Sequence, residues 1–242
     1  MTVALSGVPL YRRIEEDLRA RIRSGELQPG TQLETEQDLM ERYRVSRATV
    51  RQALAPLIAQ GLLEIRRGLG TYVAPPRFEH TIGGFYSFSR EIERHGLRPG
   101  TRVLNLGREA ADEAVAAALG LAVGTRVVAL RRLRLAGDEP LVVETSYLPA
   151  ERFPGLEKFD FSAVRLYDTL TTAYGCRPTR ARESFEPVLP SPAEADLLGQ
   201  PRQQPALRVE RLAFDQDDRP IEFCRSTVRG DRYRYSVELR DR

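Results

Sequence analysis

Residues 42–54 read "RYRVSRATVRQAL", four arginines in thirteen positions threaded between Val45, Val50, Ala53 and Leu54. On a helix that begins at Arg47, the residues Val50, Ala53, Leu54, Leu57 and Ile58 fall on one face, while Arg47, Thr49, Arg51 and Gln52 project from the other. Ser46 is placed to cap that helix. The apolar stripe needs a core to dock on, and the arginine face is left for a partner.

Upstream, Leu10, Ile14, Leu18 and Ile22 recur every four residues and predict a first helix of about four turns, closed by Gly25, Pro29 and Gly30 in "SGELQPGTQL" (residues 24–33). Thr35 can cap a second helix over residues 36–43 that turns Leu39 and Met40 inward. The two helices that follow one another across so short a turn make a helix-turn-helix pattern. Downstream, "GLLEIRRGLGTYVAPP" (residues 61–76) offers two short strands, 62–65 and 71–73, around a Gly68/Gly70 turn, which reads as a wing. Pro56 lies inside the third helix and predicts a kink beyond its arginines.

The chain has 242 residues, 41% of them hydrophobic, with a net charge of +3, enough for real cores and too balanced for a generally basic protein. Between Arg44 and Thr71, however, five arginines face one acid, Glu64. The positive charge is local. Arginine at the first turn of a recognition helix can grip guanine O6 and N7 with two hydrogen bonds, which makes Arg47 the base reader. Thr49 and Arg51 are placed for phosphates, with the Tyr11 hydroxyl and the amides capped by Thr35.

No apolar run approaches the roughly 20 residues of a membrane helix, and no signal peptide opens the chain, so a cytoplasmic protein is expected. Cys176 and Cys224 are isolated and, with only His80 and His95, form no zinc pattern. Neither a metal nor a cofactor is expected. No nucleophile and base pair presents itself, so an enzyme is not expected either.

Past residue 80 the texture changes to alternating strands separated by turns and two Ala/Leu helices. Leu119-Gly120 is matched by Leu198-Gly199, and Arg132-Leu133 by Arg211-Leu212, each 79 positions later. Two similar halves of one antiparallel sheet with helices on one face, an α+β domain, are expected. Arg132 and Arg134 point to one face of a strand and can clamp a phosphate or carboxylate; Glu144 and Glu222 can take the same ligand's donors. The alternative is that the arginines salt-bridge to those glutamates in an ordinary sheet.

Two resemblances give these pieces names. "PLYRRIEEDLRARIRSGELQPGTQL" (9–33), "VSRATVRQAL" (45–54) and "GLLEIRRGLGTYV" (61–73) resemble, in order and at the expected spacing, the winged helix-turn-helix of the gluconate-repressor (GntR) family. "GFYSFSREIERHGLRPGTRVL" (84–104), "RRLRLAGDEPLVVETSYLP" (131–149) and "RPIEFCRSTVRGDRYRY" (219–235) resemble the UTRA ligand-sensing domain of its HutC branch, whose fold is similar to chorismate lyase. The consecutive prolines of "APPRFEH" (residues 74–80) predict a stiff exposed joint; with the resemblance this gives a winged helix-turn-helix over 1–74, a linker over 75–80 and a UTRA effector-binding and dimerisation domain over 81–242. The resemblance also implies a homodimer on a palindromic operator, and a repressor answering to a small anionic metabolite. Tyr11, Thr35, Gln37, Ser46, Arg47, Thr49 and Arg51, with Gly68, Gly70 and Thr71 of the wing, are the expected DNA face. Phe88 and Ser89 close one side of the expected effector site, which holds Arg132, Arg134, Glu144 and Glu222, and Tyr167 adds a hydroxyl.

The chain departs from its relatives in places. Glu34 stands where a proline is frequent, Gln37 where many carry arginine, and Leu69 where a lysine is common at the wing tip. In the effector site, Arg165 replaces a frequent serine and Val228 a frequent tyrosine.

Overall fold

The structure is a computed structural model and describes residues 8–66, 68–74, 77–82 and 87–239. Its chain divides into two compact units between Arg77 and Phe78.

The first unit holds α1 (Leu10–Arg23), α2 (Glu36–Tyr43), α3 (Arg47–Ala59) and the hairpin β1 (Leu63–Arg66) and β2 (Gly70–Val73). Ile14 and Leu18 of α1, Leu39 of α2, Val50, Ala53, Leu54 and Leu57 of α3, and Leu63 and Val73 of the hairpin form one core. Each fully buried leucine there contributes about 1.5–3 kcal/mol. Leu10 does not join it: the first residue of α1 lies in solvent, 52% exposed, because the core begins a turn later at Ile14. Thr35 and Ser46 cap α2 and α3 through their side chains. Between these two helices Arg44 takes a left-handed conformation (φ 52°), which lets the chain reverse in so few residues. The third helix continues through Pro56 to Ala59, and Gln60 N–H donates to the Pro56 carbonyl at 2.9 Å.

The second unit contains β3 (Phe78–Ile82), α4 (Phe88–Arg94), β4 (Pro99–Ala110), α5 (Glu113–Leu119), β5 (Arg126–Ala136), β6 (Glu139–Pro149), a 3₁₀ turn (Leu156–Lys158), α6 (Leu166–Tyr174), β7 (Arg180–Val188), α7 (Pro192–Leu198), β8 (Ala206–Phe214), β9 (Pro220–Arg229) and β10 (Tyr233–Val237). Six strands make one antiparallel sheet in the order β4-β5-β6-β9-β8-β7, and β3 pairs with β10 in parallel, Tyr233 opposite Phe78 and Tyr235 opposite His80.

The sequence duplication is visible in this order. The series α5-β5-β6 and α7-β8-β9 run alike, both helices end at a left-handed glycine, Gly120 (φ 67°) and Gly199 (φ 63°), and β6 meets β9 at the seam.

Two expectations are corrected. Helices cover both faces of the sheet: α5 and α7 pack against Val127, Leu133, Val143, Leu212 and Phe223. On the other face, α6 packs against Val128, Leu130 and Leu148, and Ile92 of α4 against Val142 and Val209. The strands carry apolar residues at both alternating sets of positions, so each face needs cover. The linker read over 75–80 gives way at Phe78, because 78–80 are strand residues with Phe78 and His80 buried; residues 75 and 76 lie outside the described residues.

Candidate functional site

On the first unit, the capped start of α3 presents Arg47 and Arg51 to solvent, their side chains 58% and 68% exposed. Both approach the carboxylate of Glu36 at the head of α2, Arg51 Nε at 2.8 Å and Arg47 Nε at 3.6 Å. The Thr49 hydroxyl lies 2.9 Å from Ser46 Oγ, a contact that uses only one of its three hydrogen-bonding sites. Thr35 donates its hydroxyl proton to Asp38 at 2.7 Å while accepting Asp38 N–H, leaving backbone rather than hydroxyl groups for an anion at this helix start. Gln37 is exposed and donates to Glu41 at 3.0 Å; Tyr11 packs partly into the core, its hydroxyl accepting Arg12 Nε at 3.4 Å.

At the wing tip Gly68 and Gly70 take φ of 77° and 121°, and Thr71 pairs with Ile65. The Gln32 side chain donates to the Leu69 carbonyl at 2.8 Å, tying the tip back to the loop before α2. Arg66 stacks 4.2 Å over the Tyr72 ring. Gln32 was not foreseen, since a lone glutamine in a loop carries no pattern. Arg67 lies outside the described residues.

On the second unit a cavity of about 660 Å³ opens between the sheet, α4 and the start of α6, and all eight expected residues line it: Phe88, Ser89, Arg132, Arg134, Glu144, Arg165, Tyr167 and Glu222. Its floor follows the sheet register. Arg134 sits opposite Val142, and Val142 opposite Val228; Arg132 faces Glu144, which faces Ser226; Cys224 faces Arg211, which faces Glu183. Opposed residues on neighbouring strands share a face, so charge is gathered in rows.

Glu144 holds both arginines, Oε1 lying 2.6 Å from Arg132 Nη2 and 3.3 Å from Arg134 Nη1. The ion-pairing alternative is thus realised for Glu144, while Glu222 instead accepts the Tyr167 hydroxyl. Arg134 also donates to Ser89 Oγ at 2.9 Å and lies 4.8 Å over the Phe88 ring. Arg165, at the head of α6, is drawn to Glu93 of α4 at the surface.

Burial pulls the Arg134 pKa down to about 10, against the opposing charge of Glu144. Burial alone would push Glu144 up, but Arg132, Arg134 and Arg211 outweigh it and hold the carboxyl below its ordinary range. Burial and neighbouring Glu222 hold the Tyr167 phenol well above its ordinary range, so it remains a donor. Burial, with Glu144 and Glu222, pushes the Cys224 thiol up to about 12, which makes it an unreactive part of the floor.

Arg211, Glu183 and Cys224 were missed as cavity residues. A signal for Arg211 existed: it is the duplicate of Arg132. Its Nε donates to Glu183 at 2.7 Å, giving the second half of the sheet its own partly buried pair.

A model of the UTRA domain matches residues 94–234, and one of bacterial regulatory proteins of the gntR family matches residues 10–73. The chain belongs to the GntR family, in its UTRA-bearing HutC branch. Family members similar to it include the HTH-type transcriptional repressor NagR of Bacillus subtilis, 34% identical over 98% of this chain and 97% of that one. The HTH-type transcriptional repressor PhnF of Mycolicibacterium smegmatis is 36% identical over 87% of this chain and 85% of that one. The crystal structure of PhnF from Mycobacterium smegmatis superposes with a TM-score of 0.70 at 32% identity, covering 95% of this chain and all of that one. These GntR-family relatives are transcriptional regulators, not enzymes. No described helix is long and apolar enough to cross a membrane.

Proposed function

We propose that the protein is a homodimeric transcriptional repressor acting in the cytoplasm, whose winged helix-turn-helix reads one half of a palindromic operator and whose UTRA domain takes a small metabolite carrying a phosphate or carboxylate. Arg47 reads base edges. Tyr11, Thr49, Arg51, the amides at Thr35, and Gly68, Gly70 and Thr71 of the wing meet the backbone, with Gln37 and Ser46 beside them. In the cavity Arg132, Arg134 and Arg165 hold the anion, Glu144, Glu222 and Tyr167 meet donor and acceptor groups, and Phe88 and Ser89 close the side. Repression is supported by the relatives NagR and PhnF, both of them transcriptional repressors.

The observation that carries the effector reading is the charge balance at Arg132 and Arg134. Two buried guanidiniums share one carboxylate, and the Nε of each is buried with no hydrogen-bond partner among the described residues. Such an excess is costly until an anion joins it. Thermal shift across phosphorylated sugars and carboxylic acids tests this: a ligand at 100 times its Kd stabilises by about 2.7 kcal/mol, and Arg132→Ala must abolish the shift. An effector that binds Arg132→Ala as tightly as wild type refutes the clamp. Light scattering at twice the chain mass, with and without duplex, tests the homodimer.

A further inference from the structure

Of the acids on α4, Glu91 is the buried one, 5% exposed on the cavity side of the helix. Its Oε1 lies 3.0 Å from Nδ1 of His80 on β3, which is 6% exposed. The approach is off the line of a hydrogen bond, and neither carboxylate oxygen has a hydrogen-bond donor among the described residues. A carboxylate withdrawn from water in this way depends on His80, its one ion-pair partner among the described residues.

The two residues stand at a junction. The first turn of α4 holds Arg134 through Ser89 and Phe88, and Ile92, fully buried, keeps the helix on the domain core. His80 sits two residues into β3, the strand that begins where the winged-helix unit ends. Its ring meets Tyr235 of β10 edge-on at 5.4 Å, and Tyr235 packs at 4.8 Å on Phe185 and lines the cavity.

We infer that Glu91 and His80 are a positioning pair through which the state of the Arg134 end of the cavity is passed to strand β3. The inference rests on reading that cavity as the effector site. An anion that draws Arg134 from Ser89 and Phe88 displaces the first turn of α4; Glu91 moves with its helix, and His80 follows because separation would leave the carboxylate with no ion-pair partner among the described residues.

Hydrogen exchange of residues 78–82 in the full-length protein tests this without any ligand, with Arg134→Gln standing in for withdrawal of the arginine. Arg134→Gln should change β3 exchange about fivefold in the wild-type background and by less than about twofold beside Glu91→Gln. Equal responses in both backgrounds, or no response in the first, overturn the inference. A merely structural Glu91 predicts additive changes. Should Glu91→Gln not fold, His80→Gln takes its place, and Ser89→Ala replaces Arg134→Gln on the same ground. Inorganic phosphate then separates the two readings: protection at residues 132–134 supports the anion site, and its absence refutes that site alone, since the Arg134→Gln comparison decides the coupling independently.

Discussion

Glu36 accepts a hydrogen bond from Arg51 at 2.8 Å, so an acid at the head of α2 partly neutralises the basic face of α3. Solvent-exposed pairs of this kind are worth little, and phosphates can displace it. Glu36→Gln should therefore tighten binding to duplexes of any sequence severalfold at low salt, with the gain shrinking as ionic strength rises. Anisotropy titrations at two salt concentrations check this; an unchanged affinity would mean that Glu36 does not compete with DNA.

Arg47 and Arg51 flank the same carboxylate but have different expected roles. Arg47→Ala should cost about 1–3 kcal/mol of preference for the operator over scrambled DNA. Arg51→Ala should weaken both alike and reduce the salt slope by about 1. Undiminished operator preference in Arg47→Ala would remove it as the base reader.

Removing the Glu144 carboxylate leaves Arg132 and Arg134 buried beside each other. Glu144→Gln should destabilise the second unit by about 3–5 kcal/mol, and inorganic phosphate should restore more of that loss in the variant than it adds to wild type. Unfolding midpoints with and without phosphate measure both.

The same carboxylate predicts an acid limb. Its folded pKa lies below the ordinary range, so its contribution is complete above the unfolded value and is lost as pH falls through the folded one. Asp215 moves the same way: burial raises it, but Arg152 and backbone donors outweigh that. Stability of the second unit should fall below about pH 4, less steeply in Glu144→Gln. An equal slope in the variant would contradict the assignment.

A Cβ on Gly230 would lie 2.8 Å from the Pro205 carbonyl oxygen, whereas one on Gly107 would meet nothing within 4 Å. Gly230→Ala should cost about 1–3 kcal/mol through that backbone collision, and Gly107→Ala under about 0.5. Thermal unfolding of the two variants makes the comparison.

Periodicity made α1, α2 and α3 legible because each buries one stripe, and Ser46 and Thr35 announce caps that depend only on neighbouring residues. Arg132 and Arg134 were legible for a related reason: strand alternation fixes which residues of one strand share a face. What escaped was set by distant partners. Nothing local to Phe78 or His80 reveals a strand whose ladder lies at Tyr233–Val237, so prolines before them suggested a longer joint. Glu222 could be placed in the cavity, but not its choice of Tyr167, which depends on where α6 packs.

The ladder between β3 and β10 has a practical consequence for anyone shortening the chain. Among the described residues β10 is the sole strand partner of β3, so a truncation after residue 232 would not merely trim a tail. It would strip the cross-strand bonds from the segment that leads in from the winged helix and leave His80 without Tyr235 beside it. A deletion at one extremity of the domain would be felt at the other.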